Sequence, residues 1–169
     1  TGERIRDKIA ASKRKGLWMG GPAPLGYRIE GKKLVVDEVE AEQVRTIFRR
    51  YLELESLTAL MRDLAARGIA TKKRSLSSGA VRGGIPFSKG PLAYLLRNRM
   101  YLGEVTHQGR SYPGEQAAIL DPGLFEAVQA KLASQAQARR QGRAGSDALL
   151  MGRIFDDRGN RMTPASAYK

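Results

Sequence analysis

Cysteine is absent from this 169-residue chain, histidine and tryptophan occur once each, and aromatic residues make up 7%. Without thiols the fold cannot rest on disulfides or on a thiolate zinc site, a composition compatible with a reducing cytoplasm. The one imidazole, His107, is the single candidate for the base of a hydrolytic triad, and its place in an expected hairpin marks it as an ordinary polar residue. No apolar run approaches the roughly 20 residues of a membrane span. No signal peptide opens the sequence.

Acidic residues are scarce as well: 17 Asp+Glu against 30 Lys+Arg leave a formal net charge of +13. Such an excess is costly through self-repulsion and favours a polyanionic partner, because each neutralised phosphate releases condensed counterion. Nucleic acid is therefore the expected partner, with a merely soluble basic protein as the alternative. The pair Gly20-Gly21 lacks the preceding strand, the spacing and the Lys-Ser/Thr of a phosphate loop, so neither a nucleotide nor another cofactor is expected.

Residues 1–15 read as a basic helix whose apolar side, Ile5 and Ile9, is thin. Lys13, Arg14 and Lys15 at its end are candidate DNA contacts, each equally explicable as a solvated helix end. Residues 16–26 hold too much Gly and Pro for a helix and predict an extended connector. In it Trp18 either anchors the connector on the domain, the better-supported reading, or lies against DNA. Residues 27–36 predict a hairpin turning at Glu30-Gly31, and Asp37 with Glu40 predicts a capping box opening a helix that buries Val44, Ile47, Phe48 and Tyr51. The acidic cluster Asp37, Glu38, Glu40 and Glu42 matches the preference of a first helical turn for carboxylates better than it matches a metal site.

The stretch 57–103 is the most informative. Leu57, Leu60, Met61 and Leu64 recur at helical spacing, with Ser56 as N-cap and Gly68 past the C-terminus. A second helix over 88–97 takes Ser88 as N-cap and Pro91 in its first turn, and turns Leu92, Leu95 and Leu96 inward. Lys89, Ala93, Tyr94 and Arg97 then face outward, a set suited to phosphates and base edges. Between the helices, residues 68–87 predict a long basic loop in which Lys72, Lys73, Arg74 and Arg82 are candidate phosphate contacts. Downstream come a wing-like hairpin around Gln108-Gly109, a short strand over 117–120, and a last helix capped at Asp121-Pro122 with Leu124, Phe125, Val128 and Leu132 buried. Residues 134–147 are small, polar and basic, as in a frayed helix end becoming a linker.

Three separated motifs occur in order: GGPAPLGYRI, GIPFSKGPLAYLLRNRMYLGEV and GRSYPGEQAAILDPGLFEAVQAKL. Together they closely resemble the recombinase domain of large serine recombinases, the phage integrase and transposon resolvase type, across about residues 9–132. The resemblance implies a mixed α/β, mainly helical domain, helix-turn-helix or winged-helix-like with small β-hairpins. It implies binding to double-stranded DNA at an attachment site, with residues 88–97 in the major groove, the 72–82 loop on phosphates and residues 13–18 along the minor groove. Candidate contacts are Lys13, Arg14, Lys15, Trp18, Lys72, Lys73, Arg74, Arg82, Ser88, Lys89, Tyr94 and Arg97.

The implied organisation is a basic helix and connector over 1–26, the recombinase DNA-binding domain over 27–133, a linker over 134–148, and the start of a zinc-ribbon-like hairpin over 149–169. That hairpin departs from the family pattern: Asp156, Asp157 and Arg158 stand where a Cys-x-x-Cys pair is expected, so no metal is expected. Such recombinases cut with an arginine-activated serine in a Tyr-x-Arg-x-Ser signature, which this sequence lacks; Ser75, Ser77, Ser78, Ser88 and Ser111 do not inherit the role. Opening at Thr1 within a helical pattern, the chain reads as an excised, monomeric and catalytically inactive piece of a cytoplasmic, nucleoid-associated protein that assembles as dimer and tetramer. The alternative is a free-standing basic winged-helix regulator or an RNA-binding protein.

Overall fold

The computed structural model describes residues 2–76, 78–144 and 155–160. Two compact units divide the chain, Thr1–Ala130 and Lys131–Lys169. In the first, helix α1 (Gly2–Arg14) leads into an irregular connector, then hairpin β1 (Tyr27–Glu30) and β2 (Lys33–Val36), and helices α2 (Glu38–Glu53) and α3 (Leu57–Ala66). A short hairpin, β3 (Arg74–Ser75) with β4 (Val81–Arg82), separates α3 from α4 (Lys89–Leu96). A 3₁₀ turn (Arg99–Leu102) then feeds hairpin β5 (Glu104–His107) and β6 (Arg110–Pro113) before α5 (Pro122–Ala144), within which the unit boundary falls. All three hairpins are antiparallel and pair with no further strand among the described residues.

The core is built where the helical periodicity places it. Val44, Ile47, Phe48 and Tyr51 of α2, Leu60 and Leu64 of α3, Leu92 and Leu96 of α4, and Phe125 and Val128 of α5 are buried. Aromatic rings join these elements: Tyr27 stacks on Tyr101 at 6.2 Å, Tyr101 meets Phe48 edge-on at 6.0 Å, and Phe48 stacks on Phe125 at 5.9 Å. Such contacts stabilise beyond their area because ring quadrupoles align. The buried Tyr27 hydroxyl donates toward the carbonyls of Met100 (2.9 Å) and Ala117 (2.7 Å), tying β1 to the segments either side of the β5–β6 hairpin. Burial pushes the Tyr27 and Tyr101 phenols well above their ordinary range.

Capping follows the sequence in most places. Ser56 accepts from Ala59 N–H, and Asp121 accepts from Gly123 and Leu124 N–H. The capping box at Asp37 is half formed: Asp37 accepts from Glu40 N–H at 3.2 Å, but Glu40 turns its own carboxylate away. It accepts instead from Gly26 N–H (3.0 Å) and from the Lys72 ammonium, while Asp37 N–H donates to Gly26 O. The first hairpin turns one residue later than expected, at Gly31-Lys32.

Other expectations need correction. No strand forms over 117–120; the N–H groups of Ile119 and Leu120 both donate to the Tyr101 carbonyl, which leaves that segment no ladder to join. Helix α5 continues through Ala144 rather than giving way to a linker from residue 134, since Ala, Gln and Arg sustain a helix without an apolar face. In the second unit, Asp156 closes the turn expected at 157–160, accepting from Arg158 and Asn160 N–H at 3.0 and 2.7 Å. The rest of the hairpin over 149–169 lies outside the described residues.

Candidate nucleic-acid interface

Residues 70–86 form an arm rather than a structureless loop. At its base Ala70 bridges Pro86, Thr71 N–H donates to Ile85 O (2.9 Å), and Ile85 N–H returns to the Thr71 hydroxyl (3.2 Å). Farther out the ladder pairs Arg74 with Arg82 and Ser75 with Val81. Gly83 makes the crossing possible: its backbone has φ of +87°, and a Cβ there would overlap the Lys72 carbonyl oxygen. The sequence signal read as loop, Lys/Ser/Gly richness without apolar alternation, concealed a hairpin whose ladder is only two residues long on each side.

Helix α4 stands next to this arm. Ser88 occupies the N-cap with extended backbone, but its hydroxyl makes no capping bond, contrary to expectation. The reason lies three residues on. A capping hydroxyl bonds the N–H of the second or third helical residue, and the third is Pro91, which has none. The Ser88 hydroxyl is thereby left exposed. As expected, Leu92, Leu95 and Leu96 are buried while Tyr94 is 75% exposed, with Lys89 and Arg97 also exposed.

A groove of about 810 Å³ opens between the connector, the arm, α4 and β5. It brings together six of the sequence-predicted residues: Lys13, Trp18, Lys72, Arg74, Arg82 and Tyr94. Trp18 is half-buried in its wall, between the core and the surface roles considered for it. Arg14, Lys15, Lys73, Ser88, Lys89 and Arg97 are exposed outside that lining. Met19, Thr71, Asn98 and Thr106, which sequence reasoning did not single out, also line the groove; none carries a charge, and of the four only Asn98 falls within one of the three motifs.

The charges are sorted. Most cations on or next to α2 and α3 are held by acids of the same region: Arg45 by Glu38 and Glu42, Arg49 by Glu42, Arg50 by Glu53 and Asp63, and Arg67 by Asp63, while Arg62 of α3 forms no ion pair among the described residues. The Arg50 guanidinium beside Asp63 holds that carboxyl below its ordinary range. Arg99 takes Glu104 at 2.6 Å, holds it likewise low, and lies 5.7 Å from the Phe125 ring centre. Lys72 is committed to Glu40. By contrast Lys13, Arg14, Lys15, Lys73, Arg74, Arg82, Lys89 and Arg97 form no ion pair among the described residues. Glu104, near enough in sequence to serve Arg97, is taken by Arg99 instead.

His107 is half-exposed, with a buried Nε2 that finds no partner. No group of three or more potential metal ligands occurs among the described residues. Nor is any described helix long and apolar enough to cross a membrane.

The family model named Recombinase matches residues 38–135, more than half of the chain. The chain belongs to the Recombinase family. In this recombinase chain the matched stretch runs from the start of α2 into α5 and so includes the arm, α4 and the β5–β6 hairpin. No curated protein sequence matches it significantly. Among solved structures it is similar to one described by the sequence requirements of the Listeria innocua prophage attP site, with a TM-score of 0.67 and 21% identity over 88% of this chain. It is also similar to one described as an LSR–DNA complex, with a TM-score of 0.63 and 21% identity over 90% of this chain. At that identity the likeness shows a shared fold. The recombinase chain spans 59% and 45% of the length of those two chains.

Proposed function

We propose that this domain grips double-stranded DNA sequence-specifically at an attachment site, as part of a site-specific serine recombinase. The observation that carries the reading is the sorting of charge. Arg45, Arg49, Arg50 and Arg67 around α2 and α3 are neutralised internally, whereas Lys73, Arg74 and Arg82 of the arm, Lys13 and Arg14 of α1, and Lys89 and Arg97 of α4 form no ion pair among the described residues and are left for an external anion. Two solved structures of the same fold, described by a prophage attP site and by a DNA complex, support the choice of partner. Helix α4 offers Tyr94 and Arg97 to base edges in the major groove, Lys73, Arg74, Arg82 and Lys89 take phosphates, and Lys13, Arg14, Lys15 and Trp18 follow the minor groove. The Ser88 hydroxyl, free of capping duty, is available to a phosphate.

Residues 27–133 form the binding domain, and residues 1–26 lead into it. The chain acts as a monomeric grip within a cytoplasmic protein that cuts DNA with residues elsewhere. Titrating it with attachment-site duplex at increasing salt tests this. The association constant falls with a log–log slope of about −0.9 per phosphate contacted, and the DNA is neither nicked nor covalently attached. A flat salt response, or equal affinity for an A-form RNA duplex whose deep major groove excludes a helix, would overturn the reading.

A further inference from the structure

The arm contains an arrangement that folding alone does not favour. Arg74 and Arg82 lie directly opposite each other in a ladder of only two residue pairs. Residues directly opposite in an antiparallel ladder project from the same face, and like charges so placed destabilise the pairing. No carboxylate among the described residues pairs with either guanidinium, although Glu40, Asp63 and Glu104 each hold another cation. Lys72, at the foot of the arm, is held by Glu40. Both arginines line the groove between the connector and α4, while their ladder neighbours Ser75 and Val81 take the opposite face, leaving Val81 65% exposed.

We propose that Arg74 and Arg82 form a two-jawed anion site that seats a single phosphodiester of the DNA backbone, and that the bound phosphate closes the arm's ladder. This rests on the DNA-binding reading above and narrows it: the arm makes one shared phosphate contact, not a row of independent ones. A guanidinium presents N–H donors in a planar fork, so two of them on one side of a hairpin bracket a tetrahedral anion from two directions. The anion converts the cross-strand repulsion into attraction. Lys72 lies outside the clamp because Glu40 already holds it.

The clamp predicts opposite effects in the free and bound states. In the full chain without DNA, Arg82→Gln removes repulsion and melts at or above the temperature of the unaltered protein. On attachment-site duplex, the double variant Arg74→Gln/Arg82→Gln lowers the magnitude of the log–log salt slope by about 0.9, the value for one phosphate. A loss of about 1.8 would show two separate phosphates and overturn the shared site, as would an unchanged slope. Early melting of Arg82→Gln would show the pair to be structural and also overturn it. A Lys73→Ala variant measured alongside separates the two levels of the argument. If the unaltered chain and Lys73→Ala both show no salt dependence, DNA binding itself fails; if both respond and the double variant loses two contacts or none, only the clamp fails.

Discussion

Replacing Arg97 by alanine separates recognition from stability more cleanly than any other single change in this domain. Arg97 ends α4; its backbone N–H donates to the Tyr94 and Leu95 carbonyls, and its side chain is exposed without an ion-pair partner. Alanine keeps the backbone bonds, so free-protein stability changes by no more than about 0.5 kcal/mol, as for surface positions generally. If the guanidinium makes a bidentate contact with a base, its loss costs about 1 to 3 kcal/mol on the attachment site, roughly 5- to 140-fold in affinity, and much less on random duplex. Arg99, two residues on, is the internal contrast. Its alanine variant loses a partly exposed ion pair to Glu104 and a cation–π contact with Phe125, together about 1 to 2 kcal/mol. That lowers the melting temperature by about 2 to 8 °C while the ratio of specific to random affinity holds. Fluorescence anisotropy on both duplexes with a thermal melt of each variant is sufficient. An Arg97→Ala protein that melts early yet keeps its specificity ratio would refute α4 as the reading element.

Gly16 has φ of +76°, a Cβ there would overlap the Pro113 carbonyl oxygen, and its own carbonyl accepts from Glu115 N–H. Gly16→Ala should therefore cost more than about 2 kcal/mol, counting strain and overlap, and speed hydrogen exchange at Glu115; unaltered exchange there would refute the docking. Tyr27→Phe leaves the Met100 and Ala117 carbonyls without their buried donor and should destabilise by about 1 to 3 kcal/mol in denaturant titration, with neutrality the contrary result. Asp63 and Glu104 are held low by Arg50 and Arg99, so between the folded and unfolded titration ranges the unfolded state binds more protons. Their contribution is complete above the unfolded range and is lost as pH falls through the folded one, below about pH 4. Asp63→Asn should flatten that acid limb of stability, and an unchanged limb would count against the Arg50 pair.

Most of the helical frame was legible because it follows from local chemistry. The spacing of Leu57, Leu60 and Leu64, the cap at Ser56 and the Asp121 cap each require only a few consecutive residues, and each is realised. The turn at Gln108-Gly109 is local too, and β5 and β6 pair around it. One failure was local, and two others depended on geometry beyond that range. Ser88 looked like a cap by residue type, yet Pro91 had removed one of the two N–H groups it could have reached. The arm over 70–86 was read as loop because its closure rests on Thr71 meeting Ile85, fourteen residues away, and on Gly83 crossing Lys72. The 117–120 segment has the apolar composition of a strand, but its N–H groups are consumed by a single carbonyl at Tyr101.

The same distinction governs the candidate interface. Of the cations between residues 72 and 99, Lys72, Lys73, Arg74, Arg82, Lys89, Arg97 and Arg99, each is chemically fit to meet a phosphate, and nothing local ranks them. Their roles are decided by which acids the fold brings near. Glu40, thirty-two residues before Lys72, removes it from the pool, and Glu104 removes Arg99 but, by the register of the 3₁₀ turn, not Arg97. The cations that remain are the ones whose charge the fold leaves uncompensated, at a cost in self-repulsion most evident where Arg74 faces Arg82. Because that cost is recovered only when an anion arrives, the residues that most weaken the free domain are those most expected to strengthen its complex. Affinity and free-state stability should therefore move in opposite directions for charge removal on the arm, and together for charge removal at Arg50 or Arg99.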